Sequence, residues 1–276
     1  MDLLRLMTIP RATLGQGTIV QVRIGGNAEA LARLMAEEIA GLIRENNDAD
    51  RPTCLIVPVG PVGQYRILAR MITEDDLDCS RVTFINMDEF LDDDGGWIDP
   101  GHPLSFRGFM DRSFYRWLPP EARFRPESRI FPDPKEPEAI ARRIAERGGV
   151  DVCFGGIGLN GQLAFNEPED VGLDEFAARP TRSLAIAPES RAHLAVNLAC
   201  ALDLIPRRAV TIGMREILAA RRIRLFADRP WQCGVVRQVL HGPITPLCPA
   251  SYVQRHPDAT LTLADFVAEP REVRLR

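Results

Sequence analysis

Two adjacent carboxylates, Asp88 and Glu89, directly follow an apolar run at residues 82–87. Burying a carboxylate is costly unless it meets a partner or a wet cleft. Such a pair either begins a helix, whose N-terminus attracts negative charge, or faces a cleft where it transfers protons. Its position at the end of a strand favours proton transfer. Glu167, which follows a glycine-rich loop, has the same two interpretations.

That loop contains Gly156, Gly158 and Gly161, which formally match the dinucleotide fingerprint GxGxxG. The fingerprint requires a helix immediately after the last glycine, so that the helix N-terminus faces the pyrophosphate. Pro168 would end any such helix after about one turn. We therefore expect the glycines to let the backbone approach a small ligand, and we expect no nicotinamide cofactor.

The elements that must position these residues alternate along the chain. Short apolar, β-branched runs are typical of buried parallel strands. They lie at residues 54–59, 82–87, 150–154, 209–212, 223–227 and 260–263. Helical patterns occupy residues 27–45, 62–74, 105–117, 136–147, 189–202, 213–220 and 230–240.

This alternation predicts an α/β fold with a single doubly wound, mainly parallel sheet and helices on both faces. We expect one domain over residues 1–276, with an N-terminal segment at 1–24 and a C-terminal tail at 266–276. The polar segment at about 160–187 is expected to act as a lid. Ligands bind such sheets beyond the carboxyl ends of the strands, which places the candidate site at residues 57–63, 85–90 and 155–161.

Composition excludes several classes of function. The 34 basic and 38 acidic residues give a net charge of −4, which argues against nucleic-acid binding. No apolar stretch is long enough to cross a membrane. The single lysine, Lys135, lies in a polar turn and not in the buried setting that Schiff-base catalysis needs. The six cysteines and four histidines lack metal-ligand spacing, so we expect no metal and a reducing cytoplasm.

Three segments together resemble the glucosamine-6-phosphate deaminase family. They are residues 82–90, residues 102–106 and the stretch 154–168. The resemblance implies a fold shared with 6-phosphogluconolactonase, a cytoplasmic homo-oligomer, a small sugar substrate and no cofactor. It also implies an aldose–ketose isomerisation coupled to loss of ammonia, in which Asp88 moves a proton between C1 and C2.

The resemblance also implies a group that opens the sugar ring, and here the chain departs from the family. The family carries an aspartate, a histidine and a glutamate in this group. Glu167 is kept, whereas Asn160 and Gln162 stand at the other two positions. An amide neither accepts nor releases a proton near neutral pH, although it still forms hydrogen bonds. We take Asp88, Glu167, Asn160 and Gln162 as the catalytic candidates.

The phosphate site implied by the resemblance is altered as well. Gly60, Pro61 and Val62 stand where the family has a loop with hydroxyl groups, and the family's arginine and lysine fall on Val196 and Gln232. A phosphate needs charge-assisted donors. Arginines elsewhere, namely Arg107, Arg112, Arg182 and Arg191, are candidates to bind a carboxylate or another anion. The expected substrate-binding residues are Gly60, Pro61, Val62, Glu89, Gly156, Gly158, Gly161, Arg182 and Arg191.

The sequence thus predicts a deaminase- or isomerase-like enzyme of carbohydrate or amino-sugar metabolism that acts on a non-standard sugar or sugar acid. Two other classes remain open. One is a lactonase or other hydrolase on the same fold, and the other is a non-catalytic sugar-binding regulatory protein.

Overall fold

A central sheet of seven parallel strands organises the computed structural model, which describes residues 2–274. Its strands are β1 (Gln21–Ile24), β2 (Thr53–Val57), β3 (Val82–Asn86), β5 (Arg129–Ile130), β6 (Val152–Gly155), β9 (Ile223–Ala227) and β10 (Ala259–Leu263). The order across the sheet is β1-β10-β9-β6-β2-β3-β5. The predicted parallel α/β sheet is confirmed.

Helices cover this sheet and explain why its inner strands carry almost continuous apolar residues. They are α1 (Leu3–Met7), α2 (Ala28–Asp48), α3 (Gln64–Glu74), α4 (Phe106–Ser113), α5 (Ala139–Glu146), α6 (Leu173–Ala177), α7 (Pro188–Asn197), α8 (Met214–Leu218), α9 (Gln232–His241) and α10 (Asp265–Ala268). Asn27 caps α2 as predicted, because its side chain accepts a hydrogen bond from the Ala30 N–H. Cys54 and Cys153 are core residues.

A second sheet of three antiparallel strands lies beside the first. It consists of β4 (Asp88–Leu91), β8 (Arg208–Thr211) and β7 (Arg182–Ala185), in the order β4-β8-β7. The sequence predicted a parallel strand at residues 209–212. A strand does form there, but it pairs antiparallel with both of its neighbours, so the predicted pairing was wrong. β8 is the buried middle strand of this sheet, so its sequence is as apolar as that of a buried parallel strand.

The second sheet determines where the chain leaves the first one. After β3 the chain passes through Met87, which bonds to the main sheet through its N–H and to Ile212 through its carbonyl. Asp88 then begins β4, opposite Thr211. The first carboxylate is therefore fixed at the junction of the two sheets.

The segment expected to be a lid, residues 160–187, is an anchored part of the structure. β7 pairs with β8 along its whole length, and Phe176 of α6 is fully buried. Within residues 2–274 no helix is long and apolar enough to cross a membrane.

Candidate active site

Four neighbouring strands of the central sheet, β3, β2, β6 and β9, end at one cavity of about 320 Å³. We call it the strand-end cavity. Its walls come from the loops that follow these strands, together with part of α7. This is the edge at which an open parallel sheet binds its ligands.

Asp88 faces the strand-end cavity from the end of β3. It is 8% exposed. Burial, reinforced by the neighbouring charge of Glu89, raises the pKa of Asp88 to about 8. Among the described residues none donates a hydrogen bond to its side chain. The carboxyl group is thus unengaged and mostly protonated at pH 7, and its pKa lies close enough to neutral pH for it both to accept and to return a proton.

Glu89 has a different role from the one expected. It lies outside the cavity lining and is fully buried. Its carboxylate accepts hydrogen bonds from the backbone N–H groups of Phe106 and Arg107 and from the Ser105 hydroxyl, at 2.9–3.0 Å. It therefore holds the N-terminus of α4, where the helix dipole favours negative charge. The sequence pattern allowed the pair either to begin a helix or to face a cleft. In the structure Glu89 holds the start of α4, and Asp88 faces the cavity.

Asn160, Gln162 and Glu167 meet at one serine, Ser190 on α7. The Ser190 hydroxyl lies 2.9 Å from Glu167 Oε2 and 2.6 Å from Gln162 Oε1, and Asn160 Nδ2 donates to Glu167 Oε2 at 2.9 Å. Gln162 and Ser190 line the cavity, while Asn160 and Glu167 lie behind them.

The Ser190 hydroxyl has two possible acceptors, Glu167 Oε2 and Gln162 Oε1. A hydroxyl has one proton and so donates to only one of them at a time. Burial raises the pKa of Glu167, and its hydrogen bonds to Asn160, Ser190 and the Ala187 N–H oppose this shift.

The glycine-rich loops bring backbone to the cavity as expected. Gly60, Pro61 and Val62 line one side and Gly156 and Gly158 the other. Beyond the second loop the chain does not enter a helix at once, since α6 begins only at residue 173.

Gly161 is outside the lining and serves the turn. Its φ is +84°, and an added Cβ would lie 2.6 Å from Cys248 Sγ. The turn therefore requires glycine at this position, and the expected contact of Gly161 with substrate stays a prediction.

The four arginines proposed as anion ligands all lie outside the cavity lining. Arg182 bonds to Asn166 and Glu169, and Arg191 donates only to backbone carbonyls of residues 202–206. Arg107 and Arg112 donate to backbone carbonyls as well, Arg107 also to Glu89. Each guanidinium is engaged in holding a loop, and the expected substrate contacts of Arg182 and Arg191 stay predictions.

Val196 and Gln232 stand where the family has an arginine and a lysine. Val196 is 78% exposed and outside the lining. Gln232 lines the cavity but has both amide atoms engaged, because Oε1 accepts from Arg229 N–H and Nε2 donates to the Ile157 carbonyl.

The lining residues that sequence reasoning missed include Ser190, His193, Asp228, Arg229 and Trp231. Asp228 and Arg229 carried a usable signal, since they directly follow the apolar run of β9 just as Asp88 follows that of β3. Ser190 and His193 are three residues apart on α7 and so share one helix face.

The parallel α/β sheet and the buried carboxyl group of Asp88 at its strand ends agree with the sugar isomerase and deaminase type of enzyme that the sequence predicts. No protein-family model matches the chain. The glucosamine-6-phosphate deaminase of Clostridium perfringens (strain ATCC 13124) is 30% identical over 247 residues, which cover 88% of this chain and 96% of the relative. That of Hahella chejuensis is 29% identical over 262 residues, covering 92% and 93%.

Solved structures agree with these relatives. A monomeric glucosamine-6-phosphate deaminase superposes with a TM-score of 0.77 at 26% identity and covers 91% of this chain and 100% of that one. A 6-phosphogluconolactonase from Shewanella baltica has a TM-score of 0.62 at 19% identity, covering 90% and 100%, which shows the shared fold alone. The chain belongs to the glucosamine-6-phosphate deaminase family, as the sequence resemblance indicated.

Proposed function

We propose that this enzyme moves a proton between adjacent carbons of a sugar derivative, with Asp88 as the acid–base group. The observation that carries the proposal is the Asp88 carboxyl group, which lines the cavity, accepts no hydrogen bond within residues 2–274 and has a pKa of about 8.

The chemistry is an enolisation. The Asp88 carboxylate takes the proton from the carbon beside the carbonyl group of the open-chain sugar. The electron pair of that C–H bond forms a C=C bond, and the carbonyl oxygen takes up a proton from water to give an enediol. The carboxyl group then returns its proton to the former carbonyl carbon, while the hydroxyl group on the other carbon loses its proton to water and becomes the new carbonyl group. Where C2 carries an amino group, the same steps pass through an enolamine to an imine at C2, which water hydrolyses to the ketone and ammonia.

We propose further that the substrate lacks a phosphate at the position where the family binds one. The Gly60–Val62 loop offers no hydroxyl group, and Pro61 has no N–H to donate. Gln232 is neutral and both of its amide atoms are hydrogen-bonded, and Val196 lies outside the cavity lining. A sugar or sugar acid of non-standard type fits these residues, with Gln162 binding a hydroxyl group at the cavity wall while Asn160 and Glu167 hold the cluster behind it.

The experiment is hydrogen exchange in D₂O. The purified protein is incubated with hexoses, hexosamines, sugar acids and their 6-phosphates, and proton NMR follows loss of the C2 proton. We expect exchange with an unphosphorylated compound, and we expect Asp88→Asn to abolish it. Asp93→Asn, which changes an exposed carboxylate, is the matched control. Full exchange by Asp88→Asn would refute the role of this residue.

One observation favours a second candidate function, a lactonase or related hydrolase. Such an enzyme needs a base that activates water, and His193 lines the same cavity. Burial lowers the pKa of His193, so the imidazole is neutral at pH 7, with Asn197 hydrogen-bonded to its Nε2. Hydrolysis of sugar lactones that His193→Asn abolishes and Asp88→Asn spares would select this function.

The cellular setting is proposed from the family. We expect a cytoplasmic protein that binds neither nucleic acid nor membrane. The homo-oligomer expected from the sequence stays a prediction, because one solved relative is described as monomeric. Light scattering of the purified protein measures its mass in solution and decides the point.

A further inference from the structure

The strand-end cavity has two ends with different chemistry. Asp88 follows β3 and Asp228 follows β9, and β2 and β6 lie between these strands. Neighbouring strands are about 4.8 Å apart, so the two strand ends are separated by about 14 Å. We call the residues at the second end, His193, Asp228, Arg229 and Trp231, the far end of the cavity.

The far end carries no net positive charge. Arg229 is the only arginine or lysine among the described residues that line the cavity, and its Nε lies 3.4 Å from Asp228 Oδ1. Burial raises the pKa of Asp228, although Arg229 opposes this shift. His193 is neutral at pH 7, since burial lowers its pKa from an ordinary value of 6.5.

This charge balance disfavours phosphate. A phosphate monoester carries about −1.5 to −2 charges at pH 7 and is bound through several charge-assisted donors. Asp228 would repel the phosphate, and one arginine already facing a carboxylate offers too little compensation. A neutral group meets no such penalty.

The same residues suit a sugar. A hydroxyl group both donates and accepts, and here Asp228 accepts while Arg229, 53% exposed at its side chain, donates. The Asn197 amide donates to His193 Nε2 at 2.7 Å, which leaves the ring proton on Nδ1 as a further donor. Trp231 packs edge-on against His193, with ring centroids 4.3 Å apart, and adds an aromatic face for the C–H groups of a sugar ring.

We propose that His193, Asp228, Arg229 and Trp231 form a subsite for the unphosphorylated, hydroxyl-bearing end of a sugar, so that the enzyme selects neutral sugars over their 6-phosphates. The inference rests on the proposed function for what happens at Asp88, but it concerns binding and is tested without turnover.

The test is calorimetric titration of the wild-type protein and of Asp88→Asn with glucosamine, N-acetylglucosamine, glucose, galactosamine and their 6-phosphates. We expect the tightest-binding sugar to bind better without phosphate than with it. Trp231→Ala should raise its Kd roughly 3- to 10-fold, the usual value of an aromatic contact, and Trp231→Phe should restore most of the affinity. Trp117→Ala removes a tryptophan outside the cavity and is the matched control.

The variant Asp228→Asn distinguishes a subsite for neutral sugars from a site that binds phosphate. Removing the carboxylate leaves Arg229 uncompensated, so the variant should bind the 6-phosphates more tightly and the neutral sugars more weakly than the wild type does. Preference of the wild type for a 6-phosphate, absence of binding by every sugar, or an unchanged Kd in Trp231→Ala would each overturn the subsite. Binding with the expected preference but no exchange at C2 would overturn the proposed proton transfer and leave the subsite standing.

Discussion

At the scale of single residues, Asp88 and Glu89 show how neighbours in sequence acquire opposite roles. Both are carboxylates in a buried strand, but only Glu89 meets backbone donors, from the start of α4. Asp88 meets the cavity and the charge of its neighbour, so its pKa rises to about 8. The contrast comes from hydrogen bonds that one side chain has and the other lacks.

The raised pKa of Asp88 predicts the pH dependence of activity. The carboxylate form is the base, and its fraction increases as the pH passes through the pKa. We expect kcat/KM to rise with pH and to level off above about pH 8. Initial rates measured from about pH 5 to about pH 10 test this profile. A rate that is already level at pH 6 would contradict the assignment.

The same shift predicts a change in stability. An unfolded aspartate ionises near its ordinary value of 3.8, whereas the folded one holds its proton up to about pH 8. The folded state therefore loses relative stability as pH rises between these two values. Asp88→Asn removes this effect, so the variant should melt at a higher temperature than the wild type at pH 8, with a smaller difference at pH 4.5. Equal differences at both pH values would show that the carboxyl group is not buried as described.

At the scale of elements, the start of α4 is coupled to the active site through Glu89. Glu89 neutralises the N-terminus of α4, and its charge is one of the two causes of the raised pKa of Asp88. The start of α4 therefore influences Asp88 indirectly, because it holds the buried carboxylate of Glu89, whose charge raises the pKa of Asp88.

Glu89→Gln should therefore change two quantities together. Losing the charge-assisted bonds to α4 should lower the free energy of unfolding by about 1–3 kcal/mol, as measured by urea denaturation. Removing the negative charge beside Asp88 should also lower the pKa of Asp88, so the rise of kcat/KM should move to lower pH. Destabilisation without movement of the pH profile would show that Glu89 is structural only. Asp93→Asn, exposed on the following loop, should change neither quantity.

At the scale of the whole molecule, a buried arginine joins the two ends of the described chain. The Arg237 guanidinium donates to the carbonyl of Ile9 in the N-terminal segment, to Cys233 within α9, and to Ala268 at the end of α10. It is fully buried, and burial lowers the pKa of its guanidinium. The Arg237 side chain therefore helps to fasten the N-terminal segment to α9 and α10, together with the ion pairs of Arg11 with Asp265 and Glu269.

Arg237→Met should destabilise the protein although the new side chain is apolar and of similar length. The carbonyl groups of three separate segments lose their donor, and each unpaired buried carbonyl is costly. We expect a loss of about 2–4 kcal/mol in the free energy of unfolding from urea titration. Arg70→Met, at an exposed position on α3, is the control and should stay within about 0.5 kcal/mol of the wild type. An Arg237→Met protein as stable as this control would refute the fastening role.

The sequence by itself determined the sheet, most of its strands and the position of Asp88. These features are local: a buried parallel strand must be a short apolar run, and the residue that follows it must lie at the ligand-binding edge. The same reasoning brought Gly60, Pro61, Val62, Gly156 and Gly158 to the cavity.

Only the tertiary structure decided which polar side chains line the strand-end cavity. Arg182 is engaged by Glu169, and Arg191 by carbonyls up to 15 residues away in the chain, so neither is free. Ser190 joins residues that lie 23 and 28 positions before it. Such partners are chosen by the approach of separate segments, which no local pattern encodes. For that reason the sequence shows only that Asp228 and Arg229 follow a strand. The proposed preference for neutral sugars depends on the other side chains that folding brings to the far end of the cavity.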